Sequence, residues 1–236
     1  MNKSIKACVD RIFERPPLPY TREGRRANVS SFIALTPTLW RPGRTLRVRF
    51  LNGDPKVHEK VKYYANEWTK HGNLKFQFIT EGYAEARVAF MEGAGSWSAV
   101  GTDALSEIDQ NQPTMNYGWL TPQSSEAEFA EVILHEFGHL CGLTHEHENP
   151  QGGIKWNKEA VYRDLSGPPN NWDREKIDFN MFQRYDEDII LYSQFDPKSI
   201  MLYPIPAEWT TDGKAVGWGN NELSENDKEF MSTVYK

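Results

Sequence analysis

Between residues 135 and 147 the chain reads "HEFGHLCGLTHEH", which holds four of its six histidines. No other stretch limits the fold so tightly. His135 and His139 are four apart, so on a helix they project from one face, one turn apart, and can grip a single ion together. The segment "AEFAEVILHEFGHL" is predicted to be that helix: Ala130, Ile133, Phe137 and Leu140 form an apolar stripe, and Ser125 with Glu128 three positions on makes a capping box. Gly142 tolerates the left-handed backbone of a helix C-cap and ends it. The chain can then turn back, which brings His145 close enough to complete a three-nitrogen site.

Neutral imidazoles suit zinc, and three protein ligands leave a fourth position for water, the arrangement of a catalytic rather than a structural metal. Such an ion lowers the pKa of its water toward about 7, and a carboxylate within reach can take the proton as the water attacks a carbonyl. Glu136, beside His135, is the expected base. One Zn2+ per chain is therefore expected, held by His135, His139 and His145.

The surrounding sequence supplies a scaffold. "TLRVRFL" alternates as a half-buried strand does, with "NGD" marking a turn after it. From Pro55 to Lys70, Val57, Val61, Tyr64 and Trp68 recur at helical spacing. "LKFQFI" and "ARVAFM" are two more strands, an order that favours a twisted mixed sheet with a crossover helix on one face. "EGAGSWSAVGTDAL" reads as a Gly-rich loop and "PTMNYGWL" as a short edge strand. Residues 149–223 are rich in Asn, Asp, Gly, Pro and Trp, with one short helix at "KEAVYRDL". Ser224 with Asp227 opens a C-terminal helix over "SENDKEFMSTVY". Residues 1–44, with five prolines between 15 and 45, read as an irregular arm laid over a body running from 45 to 236.

Composition removes several function classes. A net charge of −6 and a pI near 5.6 argue against a nucleic-acid binder, and Arg41, Arg44, Arg47 and Arg49 read as the solvated face of a strand. No segment has the roughly 18 apolar residues of a membrane span, and no secretory h-region is visible at the start. Two cysteines, Cys8 and Cys141, cannot make a disulfide framework. The acidic "RYDEDII" reads as a solvated loop rather than a calcium site.

"HEFGHLCGLTH" matches the extended zinc motif H-E-x-x-H-x-x-G-x-x-H, and the chain thereby resembles the metzincin metallopeptidases; Glu146 directly after it resembles the astacins. "SIMLYP" at 199–204 resembles the methionine turn of these enzymes. The resemblance implies that Met201 lies beneath the metal site, that Tyr203 can reach the zinc or the oxyanion, and that His145 rather than His147 is the third ligand. It implies an α+β, zincin-like fold: an upper lobe (45–142) with a twisted, mostly parallel sheet and an active-site helix, a smaller irregular lower lobe (143–236) ending in a helix, and a cleft between them. Peptides would add as a strand along Thr114, Met115, Asn116, Tyr117, Gly118 and Trp119, or along the segment before them.

Two departures place the chain between astacins and matrixins: it lacks the astacin disulfides, and "HEHENPQGGIKWN" carries extra polar residues. Matrixins are held latent by a cysteine and astacins by an aspartate from a pro-segment. Cys8 and Asp10 are the candidates here, although no inhibitory motif surrounds them and a lone terminal cysteine is more often an idle thiol or small hydrophobe. Secretion is what the resemblance implies. The expected function is hydrolysis of internal peptide bonds in proteins. Its competitors are a latent or peptide-binding zinc protein without turnover, and an effector protease restricted to one target; binding without cleavage, or cleavage of one protein only, would separate them.

Overall fold

The computed structural model describes Cys8 and residues 33–168, 170–182, 190–192 and 194–236. Asp10, the remainder of the arm up to residue 32, and most of "RYDEDII" lie outside the described residues. In chain order the elements are β1 (Ile33–Leu35), β2 (Thr45–Phe50), α1 (Pro55–Thr69), β3 (Lys75–Ile79), β4 (Ala86–Ala89), β5 (Trp97–Ser98), β6 (Met115–Asn116), α2 (Glu126–Leu140), α3 (Lys158–Leu165), α4 (Arg174–Ile177), β7 (Ile190–Tyr192) and α5 (Glu225–Val234).

Five strands form one sheet in the order β3-β2-β4-β6-β5, parallel except for β5. α1 makes the crossover from β2 to β3. It starts where Asp54 accepts the Lys56 amide ahead of Pro55, whose missing N–H is no loss in a first turn. Its buried face, Val57, Val61, Ala65 and Trp68, packs along α2, and the Trp68 indole donates to the Leu134 carbonyl at 3.0 Å.

Leu46 and Val48 of β2 are fully buried, as the alternation requires. The arginines between them are more than a solvated face. Nη2 of both Arg44 and Arg47 lies 3.0 Å from the carboxylate of Glu85, which is 1% exposed, and Arg49 donates to the Gln110 carbonyl. Burial pushes the Glu85 carboxyl up, but the bonds from Arg47 outweigh it and hold the group below its usual range.

The strand expected at the sheet edge lies inside it. β6 is paired with β4 on one side and β5 on the other, and Asn116 further ties its side chain to the Gly95 carbonyl at 2.6 Å. The outer strand is β5, from the segment read as a loop. Two residues flanked by glycines carry no legible period, which is why the sequence hid it.

Apolar side chains gather in two clusters. One lies between the sheet, α1, α2 and α5. The other comprises Ala160, Val161, Leu165, Trp172, Ile177, Met181, Leu202, Tyr203, Ile205 and Trp209, with Cys8 among them. β1 pairs antiparallel with β7, and Ala34 bridges to Leu143, so the end of the N-terminal segment joins the second region. α5 opens with the full Ser224/Asp227 capping box. The C-terminal end of α2 is closed from both chain ends: the Trp40 indole donates to the Leu140 carbonyl at 2.7 Å, and the Tyr235 hydroxyl donates to the Cys141 carbonyl at 2.6 Å.

Candidate active site

α2 begins where Ser125 Oγ accepts the Glu128 amide, and it is buried on nearly every side beyond Phe129. It ends in a Schellman motif: the Gly142 amide donates to the His139 carbonyl at 2.8 Å and the Leu143 amide to the Gly138 carbonyl at 3.1 Å, with Gly142 at φ +98°. A Cβ at Gly142 would also fall 2.7 Å from the Leu39 side chain. This turn has a chemical consequence, because it sets the Leu143 carbonyl 3.0 Å from His139 Nδ1. The Ile200 carbonyl does the same for His135 Nδ1 at 2.8 Å. Each carbonyl takes the Nδ1 proton, fixes the tautomer and turns Nε2 the other way.

The sequence brings the three expected histidines together. Ligand atoms of His135, His139, His145 and Cys8 all lie within 4.8 Å of one another, and His139 Nε2 is 3.1 Å from His145 Nε2. Burial first, and then the charge of His135, hold His145 well below the usual histidine range, so it is a neutral imidazole. Three buried imidazoles converging on one point fit zinc. Glu136 is 1% exposed and lines the same depression as His135, Val132, Trp119, Ile200, Leu202, Tyr203 and Asn220. Among residues 114–119, read as a substrate rim, only Trp119 is part-exposed and reaches this depression; Thr114, Met115, Asn116, Tyr117 and Gly118 are buried.

Met201 is buried behind α2. A Cβ on Gly138 would come 2.3 Å from its sulfur and 3.0 Å from the Trp68 ring, so the glycine inside the motif is what lets the methionine turn close against the helix. Gly138→Ala gains about 1 kcal/mol of helix propensity and loses roughly 1–3 kcal/mol to overpacking. We expect a melting temperature up to about 8 °C lower, at roughly 2–4 °C per kcal/mol for a chain of this size. A variant melting at or above the parent would mean that the methionine turn yields freely.

Cys8, read as an idle thiol or small hydrophobe, sits in the second apolar cluster and lies beside the histidines. It is buried, its Sγ lies 3.8 Å from His139 Nε2, and its carbonyl accepts a hydrogen bond from Tyr203 Oη at 2.6 Å. No motif around Cys8 announces this, since the contact joins two residues 131 positions apart in the chain. Cys141, by contrast, is a packed thiol at the helix end whose acidity burial suppresses, and neither cysteine is in a disulfide. His147 is buried; its Nε2 pairs with the Asn180 carbonyl at 2.8 Å and its ring lies against those of both His145 and Tyr203. Glu146 Oε1 accepts from Asn149 Nδ2 and from the Asp196 amide, and burial lifts its pKa to about 8.

A mixed sheet above a helix that offers two imidazoles, with a third after a glycine turn and a methionine turn beneath, defines a metzincin zinc endopeptidase, an enzyme acting on proteins or peptides. The peptidase family described as Astacin matches residues 36–236, and the chain belongs to it. Its members are zinc-dependent and typically secreted.

Among solved structures, one of myroilysin is 42% identical, covering 86% of this chain and 98% of that one with a TM-score of 0.82. A second structure of myroilysin is 38% identical, covering 98% and 91%, with a TM-score of 0.68. High choriolytic enzyme 1, a hatching enzyme zinc-protease from the medaka fish Oryzias latipes, is 13% identical over 85% of this chain and 95% of that one; its TM-score of 0.55 speaks for the fold alone. No curated protein matches the chain. No helix among the described residues is long and apolar enough to cross a membrane.

Proposed function

We propose that His135, His139 and His145 hold one zinc ion per chain, that Glu136 is the general base and then acid, and that Tyr203 stabilises the oxyanion. The observation that carries this reading is the convergence of the three imidazoles beside a buried carboxylate. When bound, zinc supplies the Lewis acidity that polarises the scissile carbonyl and acidifies the attacking water. Glu136 takes the proton from that water and delivers it to the departing amine nitrogen. Tyr203 Oη donates to the carbonyl oxygen as negative charge gathers there; its bond to the Cys8 carbonyl is a rehearsal of that contact. Met201 backs the helix through Gly138, and Gly142 turns the chain toward His145. The substrate backbone adds as a strand to β5, the outer strand next to β6.

The state described by the structure is, in this reading, a latent one. Residues 1–44 precede a catalytic domain spanning 45–236, and Cys8 closes the site with its sulfur toward the imidazoles and its carbonyl on Tyr203. Secretion, usual in the family, completes the proposal.

The test is metal content by mass spectrometry beside cleavage of a quenched peptide library. One zinc per chain is expected, with both zinc and cleavage lost in His139→Ala and His145→Ala. A chain purified without zinc that cannot be loaded with it, or full cleavage by either variant, would sink the assignment.

A further inference from the structure

His135 differs from the other imidazoles in what orients it. Its carbonyl partner, Ile200, belongs to the methionine turn, far along the chain from α2, so something must hold that turn in place. The group that does so lies on neither element. Asp227, in the first turn of α5, is 2% exposed. Its Oδ1 accepts from Ser199 Oγ at 2.8 Å, and its Oδ2 accepts from the Ile200 amide and the Ser224 amide, each at 2.9 Å. Ser199 Oγ in turn accepts the Met201 amide at 3.1 Å. One carboxylate therefore fixes two consecutive residues of the turn, and the carbonyl of the second fixes His135.

A helix cap alone needs none of the bonds to 199 and 200. The capping box is already complete with the Ser224 amide on Asp227 and the Asp227 amide on Ser224 Oγ at 3.1 Å. The remaining acceptor capacity points away from α5, into the turn. Asp196 does not replace it: that carboxylate accepts from Ser224 Oγ at 2.7 Å and from the Lys198 amide at 2.9 Å, and has no bond to the Ile200 amide. The path from α5 to the site is thus short and specific: carboxylate, Ile200 amide, Ile200 carbonyl, His135 Nδ1.

We propose that Asp227 is a positioning residue of the peptidase site, which sets the Ile200 carbonyl and thereby the direction in which His135 presents Nε2. The inference rests on the reading of His135 as a zinc ligand. It assigns to the last helix a part in metal affinity as well as in folding. Groups that orient metal-bound histidines from behind typically carry 10–100-fold in affinity or activity.

Asp227→Asn is nearly isosteric, but it places an amide NH2 or a lone oxygen where two carboxylate oxygens meet three donors. Ser224→Ala is the control, because it removes the hydroxyl that caps α5 and bonds Asp196 but leaves the bonds of Asp227 to Ser199 and Ile200 in place. The measurement is the zinc dissociation constant of the full chain by competition with a chromophoric chelator, with a urea midpoint for each protein. We expect zinc binding roughly 10–100-fold weaker in Asp227→Asn, and within about threefold of the parent in Ser224→Ala, whose loss appears in the urea midpoint.

Ser199→Ala is the second variant should Asp227→Asn not fold; loss of its bonds to Asp227 and to the Met201 amide should weaken zinc by several-fold. Unchanged affinity in Asp227→Asn or Ser199→Ala, or an equal fall in Ser224→Ala, would overturn the inference. A parent chain that holds no zinc would instead overturn the site assignment, and this inference with it.

Discussion

Glu136→Gln is expected to lower peptide cleavage by roughly 10²–10⁴-fold, the usual share of a general acid–base group, while the protein keeps its zinc. Glutamine matches the shape and hydrogen-bonding reach of glutamate but has no proton-accepting carboxylate at neutral pH. Glu136 stands outside the group of converging ligand atoms, which comprises Cys8, His135, His139 and His145, so the metal should be indifferent to the change. Its side chain is buried beside His135 in the depression that faces substrate, so no solvent carboxylate can easily take its place. The measurement is kcat on a quenched peptide with zinc content on the same sample. Retention of more than a tenth of the activity would remove Glu136 from the role of base; loss of zinc would make it part of the metal's support instead.

Cys8→Ala should act in the opposite direction. The sulfur is tethered within the same chain, so it meets the imidazoles at an effective concentration of order millimolar or above, and a substrate must displace it to enter. Tyr203 is engaged as well, by the carbonyl of the same residue. The substitution leaves three imidazoles for zinc while removing the sulfur, and it loosens the segment that carries the carbonyl. We expect the full-length variant to cleave peptides at least about 100-fold faster than the full-length parent, with one zinc in both and no change in the pattern of products. The double variant Cys8→Ala/Glu136→Gln should return to silence. If Cys8→Ala were no faster than the parent, the thiol would be a packed side chain near the site and no brake on it.

Much of this site is legible in the sequence because helix geometry is local. The four-residue spacing of His135 and His139, the cap at Ser125 and the break at Gly142 depend on residues close in the chain, and the structure has α2 from Glu126 to Leu140 with the Schellman turn following. The crossover helix and the final capping box are legible for the same reason. What the sequence conceals is carried by distant partners. β5 has two residues and takes its identity from β6; Arg47 needs Glu85 to become more than a surface charge; Cys8 needs a fold-back of 131 positions to meet His139. That β6 is not the edge strand is likewise a fact of order, since it has a neighbour on each side.

The two aromatic groups that close α2, Trp40 and Tyr235, come from opposite ends of the stretch 36–236 that matches the family. For a protease this arrangement works like a fuse. Tyr235 follows directly on α5, which ends at Val234, and a proteolytic nick between the two would take away the hydroxyl that satisfies the Cys141 carbonyl, at the very end of the helix carrying His135 and His139. Self-digestion that starts just past α5 would thus disarm the molecule performing it, and a handle for purification sits more safely on a loop or ahead of Trp40 than fused tightly to that helix.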